Sequence, residues 1–195
     1  MSFTINNING YILAGGKSSR MGIDKGLILF NQQPIVQHII NKMTPLVKNV
    51  VIISNNPIYE NFKLEVLTDL IKNIGPAGGI QTALNHTDTE KNIIVSCDTP
   101  FVTTNSLAYI IRQSVHSQIT VPVYNDKLHP LHGVYSKECA SKWLEIIQLN
   151  ILKLHEIISH FELLKVNVDD NPFYDEDIFF NINTKEDLKI ALKMI

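Results

Sequence analysis

Close to its amino end the chain carries the segment Tyr11-Ile12-Leu13-Ala14-Gly15-Gly16-Lys17-Ser18-Ser19-Arg20-Met21-Gly22-Ile23-Asp24-Lys25-Gly26. An apolar run that ends in a glycine pair is typical of a buried strand followed by a sharp turn. Glycines at such a turn let backbone N–H groups approach an anion, and Lys17, Arg20 and Lys25 add three cations within nine residues. The segment therefore predicts a phosphate-binding loop, with a plain turn as the simpler alternative.

Neither of two familiar phosphate-binding loops fits this segment. Gly16-Lys17-Ser18 matches the end of a P-loop, but that motif needs a glycine five places before Gly16, where this chain has Tyr11. A dinucleotide-binding loop needs three glycines at a spacing that Gly15, Gly16 and Gly22 do not provide. We therefore expect the loop to hold phosphates in another way.

Short apolar runs rich in β-branched residues alternate with helical patterns along the rest of the chain. The predicted strands are 11–13, 50–53, 65–67, 93–95, 119–121 and 163–168. The predicted helices are 34–43, 78–86, 105–116, 137–149, 153–160 and 184–195. This alternation predicts an α/β fold whose central sheet is mostly parallel, with helices on both faces. Ligands of such sheets bind at the carboxyl ends of the strands. The ends expected to matter here are Leu13, Ile53, Leu67 and Val95.

The composition is that of an ordinary domain with its own core. The 195 residues include 17 Lys and Arg against 19 Asp and Glu, and 45% are hydrophobic. A near-neutral total argues against a protein that coats nucleic acid or a membrane through bulk charge. Apolar runs stay well below the roughly 18 residues of a spanning helix, and two cysteines fit a reducing compartment. We therefore expect a single cytoplasmic domain, 1–195, without nucleic-acid or membrane partners.

Asp98 is a candidate metal ligand in the segment Ser96-Cys97-Asp98-Thr99-Pro100, which follows a predicted central strand. A lone carboxylate at such a strand end suits Mg²⁺, which keeps several waters and takes other ligands from substrate phosphates. A helix cap or a turn aspartate before Pro100 is an equally good interpretation of the residue in isolation.

A weaker set of candidate site residues consists of the segment Gly75-Pro76-Ala77-Gly78-Gly79 and four histidines. The glycines of the first segment allow a flat ring or a phosphate to approach the backbone before a helix begins. His129 and His132 are three residues apart, but no third ligand of suitable spacing lies near them, so a metal pair is disfavoured. His155 and His160 are interpreted as surface or core side chains.

Two asparagines precede the last predicted helix. Thr184 and Asp187 are spaced as a capping box that begins this helix. Amide side chains such as those of Asn181 and Asn183 can pair with the polar edge of a heterocycle, for example a pterin. They are equally common in turns at strand ends.

The first loop resembles, residue for residue, the L-A-G-G-x-S-x-R-M-G-x-D-K signature of nucleotidyltransferases with a Rossmann-like fold, and within them the molybdenum cofactor guanylyltransferases. The matching stretches are Leu13-Ala14-Gly15-Gly16, Arg20-Met21-Gly22 and Asp24-Lys25. Later segments also resemble this family in order, so that the resemblance runs from Leu13 to Leu188. They are the C-D-x-P of 97–100, a G-P-L-A-G variant at 75–79, the H-P of 129–130 and the N-x-N-T-x-E-D-L of 181–188.

Two positions depart from the family pattern. In the 75–79 loop, Ala77 stands where the family has leucine and Gly78 where it has alanine, so the packing that this leucine supplies is in doubt. After the second strand the family often has an asparagine that faces the nucleotide, whereas the aligned residue here is Ile53. Asn55 is a possible substitute.

The resemblance implies transfer of GMP from Mg-GTP to the terminal phosphate of molybdenum-molybdopterin, which gives the guanine dinucleotide cofactor and pyrophosphate. It implies Lys25, Arg20 and Asp98 as catalytic residues, with Asp98 as the Mg²⁺ ligand. The implied nucleotide-binding residues are Leu13, Ala14, Gly15, Gly16, Lys25, Asp69, Gly75, Pro76 and Asp98. The implied acceptor-binding residues are His129, Pro130, Asn181 and Asn183. Residues 1–118 would form the nucleotide half and 119–195 the acceptor half, with transient contacts to cofactor-delivery and molybdoenzyme chaperone proteins.

The chemistry of a phosphate acceptor agrees with the residue types found. Its second pKa of about 6 leaves it mostly dianionic at neutral pH, so that no general base is needed. The sequence correspondingly shows glycines, cations and one carboxylate in its motifs rather than a nucleophile paired with a base. Two alternatives stay open: a cytidylyltransferase acting on the same or a related phosphate, and a GTP-binding adaptor without catalysis.

Overall fold

The computed structural model describes residues 7–15 and 24–195, which form ten strands and six α-helices. The strands are β1 (Ile8–Leu13), β2 (Leu29–Phe30), β3 (Gln33–Pro34), β4 (Val50–Ile53), β5 (Glu65–Leu67), β6 (Lys91–Ser96), β7 (Ile119–Tyr124), β8 (Lys127–Leu128), β9 (His132–Ser136) and β10 (Leu163–Asn167). The helices are α1 (Ile35–Met43), α2 (Pro76–His86), α3 (Thr104–Gln113), α4 (Ala140–Gln148), α5 (Leu154–Ile158) and α6 (Lys185–Ala191). No helix in these two ranges is long and apolar enough to cross a bilayer.

The central sheet has the strand order β10-β7-β9-β6-β1-β4-β5, with β8 paired to β7. Strand β1 pairs in parallel with β4 and β6, β4 with β5, and β7 with β10. Strand β9 runs antiparallel between β6 and β7, and β2 with β3 forms a separate hairpin. The predicted α/β fold with a mostly parallel sheet is therefore confirmed.

Helices cover both faces of the sheet, as predicted. Successive side chains of β1 point to opposite faces, because a strand has a period of two. Ile12 packs with the buried residues of α1 and α3 in one core, and Tyr11 and Leu13 pack with those of α2 and α4 in the other. The largest fully buried side chain is Trp143 of α4, which lies in the second core.

Strand β9 is the longest of four strands that the sequence pattern missed, the others being the two-residue strands β2, β3 and β8. All five of its residues are buried, yet they mix histidine, glycine and serine with only two strong strand formers. A side chain at Gly133 would crowd the Thr120 carbonyl and the Val121 side chain of β7. Glycine therefore lets two strands pair closely here, while it removes the apolar alternation by which a strand is recognised.

The carboxyl ends of four parallel strands lie side by side at one edge of the sheet. Leu13 is in register with Ile53 on one side and with Ser96 on the other, and Ile53 is in register with Leu67. The loops after β1, β4, β5 and β6 consequently start from neighbouring points. This edge is where the site described below is built.

Candidate active site

A cleft of about 610 Å³ opens at the carboxyl ends of these strands, a size typical of small-molecule sites. It is lined by Leu13, Gly15, Asp24, Ile53, Ser54, Asn55, Asn56, Asp69, Asn73, Gly75, Pro76, Gly79, Ser96, Asp98 and Leu131. Six residues predicted for a nucleotide are therefore brought together here: Leu13, Gly15, Asp69, Gly75, Pro76 and Asp98. We call this the first cleft.

The amino-terminal loop enters the first cleft at Gly15. No atom of the described residues lies within 4 Å of the position that a Cβ of Gly15 would occupy, so its backbone borders open space. Ala14, predicted for the nucleotide, is buried beside it and donates its N–H to the Ile53 carbonyl at 2.8 Å. Gly16 and Arg20, predicted for phosphates, lie outside the described residues.

Asp24 fixes the chain immediately before Lys25. Its carboxylate accepts hydrogen bonds from the Tyr59 hydroxyl at 2.6 Å and from the Asn56 amide at 3.2 Å. It also caps the short 3-10 turn Lys25–Leu27 by accepting from the Gly26 N–H at 3.3 Å. Tyr59 is fully buried, and this burial, the nearby Cys97 and the Asp24 carboxylate raise the pKa of its phenol.

The support given by Tyr59 and Asn56 was not predicted from the sequence. Both residues belong to a segment after β4 that carries no recognisable motif. The signal that could have identified it is local: Asn56 caps a turn whose first residue is Pro57, a pairing typical of helical starts. A side chain at Gly26 would collide with the Tyr59 hydroxyl, so the glycine after Lys25 is required by this same contact.

Lys25 lines neither cleft but contacts Asp98, which lines both. The Lys25 Nζ lies 3.4 Å from Asp98 Oδ2 and also donates a hydrogen bond to Asn183 Oδ1. The second carboxylate oxygen of Asp98 accepts from the Ser96 hydroxyl at 2.6 Å. The Asp98 side chain is 15% exposed and that of Lys25 28%, so both charges are partly shielded from water. The structure thus brings the predicted lysine and carboxylate together and adds Ser96, which was not predicted.

The segment after residue 180 is attached to the Asp98 loop. The Ile182 N–H donates to the Asp98 carbonyl at 2.9 Å, and the Ile182 side chain is fully buried. Asn181 and Asn183, on either side of it, are exposed. The predicted capping box is confirmed, because Thr184 Oγ1 accepts from the Asp187 N–H and Asp187 Oδ2 from the Thr184 N–H.

Asp69 and Asn55 form a polar pair across the first cleft. The Asn55 amide donates to Asp69 Oδ2 at 2.8 Å, and the Asp69 N–H donates to Asn55 Oδ1 at 3.3 Å. Partial burial raises the pKa of Asp69 above its usual value, against the opposing effects of Asn55 and Lys72. Asn55 therefore lies in the cleft and shares hydrogen bonds with a predicted nucleotide residue, whereas Ile53 is buried.

The glycine-rich segment 75–79 brings the amino end of α2 close to the end of β1. Gly75 has a φ of +65° and precedes Pro76, the first residue of the helix. A Cβ at Gly78 would lie 2.6 Å from the Ile71 carbonyl oxygen, so glycine here permits a close backbone approach. The neighbouring Ala77 is fully buried and its carbonyl accepts from the Trp143 indole at 3.0 Å. Packing at this loop is thus maintained without the family's leucine.

A second cleft, of about 420 Å³, opens on the other side of Asp98. It is lined by Pro76, Ser96, Asp98, Thr99, Leu128, His129, Pro130, Leu131, His132, Leu152, Lys153, Leu154, His155, Phe179 and Asn181. The predicted acceptor residues His129, Pro130 and Asn181 are among them, whereas Asn183 is not. His155 and Lys153, which no motif indicated, also line it.

Histidine and aromatic rings form one wall of the second cleft. The His129 ring stacks on Phe179 at a centroid distance of 3.7 Å, and His132 meets the same ring edge-on. Burial, with a smaller effect of Lys127, lowers the pKa of His129 to about 4. Burial and the nearby His129 lower that of His132 to about 3, so both imidazoles are neutral at pH 7. Their Nε2 atoms are buried and have no hydrogen-bond partner among the described residues.

The described residues do not form a metal site from protein side chains alone. Within 7–15 and 24–195, no three His, Cys, Asp or Glu side chains come close enough to hold an ion. A cation at Asp98 would therefore take its other ligands from water and from a bound phosphate, which is the usual arrangement for Mg²⁺.

Comparison with known proteins agrees with this geometry. Residues 10–162 match the family model described as the MobA-like NTP transferase domain. A probable molybdenum cofactor guanylyltransferase of Flavobacterium johnsoniae is 35% identical over 179 residues, covering 91% of this chain and 93% of that protein. Such identity over nearly the whole of both chains indicates common descent and a common fold.

Two solved structures are similar in fold. Molybdopterin-guanine dinucleotide biosynthesis protein A from Archaeoglobus fulgidus has a TM-score of 0.82 at 22% identity, covering 95% of this chain and 97% of that one. A Mycobacterium tuberculosis protein solved in complex with manganese has a TM-score of 0.70 at 15% identity, covering 97% and 100%.

The family follows from the extent of these matches. The family model spans most of the sheet, all residues that line the first cleft and all but Phe179 and Asn181 of those that line the second, and the Flavobacterium relative matches over 179 residues. The resemblance found in the sequence motifs is thus confirmed, as is the prediction of an enzyme. This chain belongs to the MobA-like NTP transferase family and is a nucleotidyltransferase related to the molybdenum cofactor guanylyltransferases.

Proposed function

We propose that this protein transfers GMP from Mg-GTP to the terminal phosphate of molybdenum-molybdopterin, forming the guanine dinucleotide cofactor and pyrophosphate. The observation that carries the proposal is that the two clefts meet at Asp98 and share Pro76, Ser96 and Leu131. A transferase needs its two substrates on either side of one reacting atom. Two clefts with a carboxylate between them supply that arrangement.

In this proposal the first cleft binds GTP. Gly15 and the adjoining Gly16 would present backbone N–H groups to the phosphates, and Lys25 with Arg20 would offset their charge. Leu13, Gly75 and Pro76 give the cleft an apolar wall suited to a flat base. Asp69, held by Asn55, would accept hydrogen bonds from the ribose or the guanine.

Asp98 fits the role of Mg²⁺ ligand. Its Oδ1 is held by the Ser96 hydroxyl, which leaves Oδ2 directed towards Lys25 and the junction of the clefts. Carboxylate oxygen is the ligand that Mg²⁺ prefers. An ion held there would supply positive charge that offsets the charge developing on the pyrophosphate leaving group.

The second cleft would bind the pterin acceptor, and residues 119–195 would form the acceptor half. Neutral imidazoles, Pro130 and the Phe179 ring suit a flat heterocycle, and the Asn181 amide suits its polar edge. The acceptor phosphate would reach the junction at Asp98 as a dianion and attack without a general base. The cytoplasmic location and the transient contacts with delivery and chaperone proteins remain predictions from the sequence.

Product analysis tests this function. The protein is incubated with molybdopterin and each Mg-nucleotide in turn, and the product is identified by mass. We expect a dinucleotide containing guanine, formed together with pyrophosphate. A product with cytidine only would replace the guanine assignment by the cytidylyltransferase alternative. Tight GTP binding without pyrophosphate release, with any acceptor, would favour the adaptor.

A further inference from the structure

We propose that Asn183 is a positioning residue that holds Lys25 for nucleotidyl transfer, rather than a contact of the acceptor ring. The role in transfer rests on the proposed function, whereas the contact between Asn183 and Lys25 is present in the structure. Asn183 Oδ1 accepts a hydrogen bond from Lys25 Nζ, across 158 positions of sequence. Asn183 does not line the second cleft, where the acceptor would bind.

Asn183 is itself held in place by its surroundings. Its backbone N–H donates to Asp187 Oδ2 at 2.9 Å, and the preceding residue, Ile182, is fully buried and bonded to the Asp98 carbonyl. Both anchors use backbone atoms and core packing, so they leave the amide side chain free to act on Lys25. A rigid support of this kind is what a positioning role requires.

A lysine at this point needs such a support. Its ammonium is a point charge on a flexible four-carbon stem, and the Lys25 side chain is partly exposed. The other partner, Asp98 Oδ2, lies 3.4 Å away, which is long for a hydrogen bond. If Asp98 also binds a cation, its attraction for the ammonium weakens, and the Asn183 amide is the partner that Lys25 retains.

The neutral amide has a second advantage over a carboxylate. It accepts a hydrogen bond from the ammonium without cancelling its charge, so the full positive charge remains available to the polyphosphate. An aspartate at the same position would hold the lysine equally well but would repel the substrate. Asn183→Asp therefore keeps a hydrogen-bond acceptor for Lys25 while it changes the local charge.

The chain provides a matched control two residues away. Asn181 is the same residue type, is equally exposed, and lies on the other side of the buried Ile182. It lines the second cleft and has no hydrogen bond to Lys25. Asn181→Leu therefore removes an amide that lines the second cleft, whereas Asn183→Leu removes the amide that contacts Lys25.

The first measurement needs no ligand. Urea unfolding of the wild type, Lys25→Met, Asn183→Leu and the double variant gives a double-mutant cycle for the pair. We expect coupling of about 5-fold in the unfolding equilibrium constant, as for a partly exposed charged contact. The same cycle built with Asn181→Leu should give none. Asn183→Asp, which keeps the acceptor oxygen, should retain the coupling, and it serves as the second variant if the leucine variant does not fold.

The second measurement is steady-state transfer with Mg-GTP and molybdopterin. Asn183→Leu should lower kcat about 10- to 100-fold with the acceptor KM unchanged. The reason is that a displaced Lys25 ammonium slows the transfer step but does not affect binding of the acceptor. Asn181→Leu should instead raise the acceptor KM. In the Lys25→Met background the effect of Asn183→Leu on kcat should disappear.

Each outcome tests either the role of Asn183 or the proposed function. Absence of coupling in the unfolding cycle overturns the assignment of Asn183. A raised acceptor KM with unchanged kcat in Asn183→Leu also overturns it, in favour of an acceptor contact. A wild-type protein that transfers no nucleotide overturns the proposed function instead, and the unfolding cycle still reports on the contact.

Discussion

The two clefts on either side of Asp98 are built by different means. The first is assembled from the ends of neighbouring parallel strands, so that most of its lining residues lie at or soon after the ends of β1, β4, β5 and β6. The second is assembled from the loop between β8 and β9, the start of α5 and the segment near Phe179, which are far apart in sequence. Glycines, carboxylates and amides line the first, and imidazole and aromatic rings contribute to the second. This difference in lining accompanies the proposed division between a nucleotide in the first cleft and a pterin in the second.

Asp98, which borders both clefts, is expected to have the largest effect. Asp98→Ala should lower the rate of nucleotidyl transfer about 1000-fold, the upper range for loss of one electrostatic group at a reacting centre. Asp98→Asn is the matched control for shape, since it keeps the size and removes the charge. Both rates are measured as pyrophosphate release after circular dichroism has shown that the variants are folded. A rate within a few fold of wild type for either variant would remove Asp98 from the mechanism.

Near the first cleft, a closely packed glycine, Gly78, and a less crowded one, Gly15, should behave differently. Gly78→Ala should destabilise the protein by about 1–3 kcal/mol, because the added methyl group meets the Ile71 carbonyl and the Ile74 side chain. Gly15→Ala is the matched control, since no described residue other than its chain neighbours lies within 4 Å of the added methyl group. Urea unfolding gives both values. Equal losses for the two variants would mean that close packing does not set the position of α2.

Acid should weaken the second cleft before the first. Burial holds the pKa of His132 near 3, below its ordinary value of 6.5, so the unfolded chain binds a proton that the folded chain excludes. Stability due to this ring is present at pH 7 and is lost as the pH falls below about 6.5. Between pH 7 and pH 5 the loss should be about 2 kcal/mol, from the linkage relation.

The pH effect is measured by urea unfolding at both pH values. His132→Phe should reduce this difference by about 2 kcal/mol, and His129, whose pKa burial also lowers, should contribute to the remainder. His155→Phe is the control, because His155 lies in the same cleft but is exposed. An unchanged pH dependence in His132→Phe would show that other groups cause it.

The smallest of these effects is expected for Tyr59→Phe, which leaves the first cleft intact but loosens the loop that presents Lys25. It removes the hydrogen bond to Asp24 and should cost about 1 kcal/mol of stability. Because Asp24 sets the turn at Lys25, the KM for GTP should rise while the acceptor KM stays constant. Tyr109 lies in α3, where its ring packs against Tyr174, and Tyr109→Phe is the control for loss of a phenol elsewhere. A shift in the acceptor KM alone would contradict the division into two clefts.

The sequence predicted the first cleft better than the second. Residues that follow strand ends in parallel sheets meet at one edge, so the segments after Leu13, Leu67 and Val95 could be placed together from the pattern. Asp69 itself was indicated only by the family resemblance. The second cleft depends on β9, whose glycine and histidine hide the strand pattern, and on loops brought in from the last third of the chain. His155 and Lys153 were missed because no local signal marks which turn of a helix faces a cleft.

The sequence analysis also missed the residues that hold the predicted site residues in place. Tyr59, Asn56 and Ser96 each hold a predicted residue by a hydrogen bond that depends on distances between separate elements. Asn183 was predicted to face the acceptor, whereas its amide lies against Lys25. A motif shows that a residue type is present at a position, but the partner of its side chain depends on how the elements pack.

The amino-acid sequence by itself determined the α/β class, the glycine-rich loop and the order of the motifs, because strand periodicity, turn chemistry and short-range spacing are local properties of a chain. Tertiary structure alone decided that the carboxylate after β6 and the asparagine before α6 converge on Lys25. Convergence of this kind depends on strand register and on which core buries Ile182. Those are set by packing across the whole sheet, which no local pattern records.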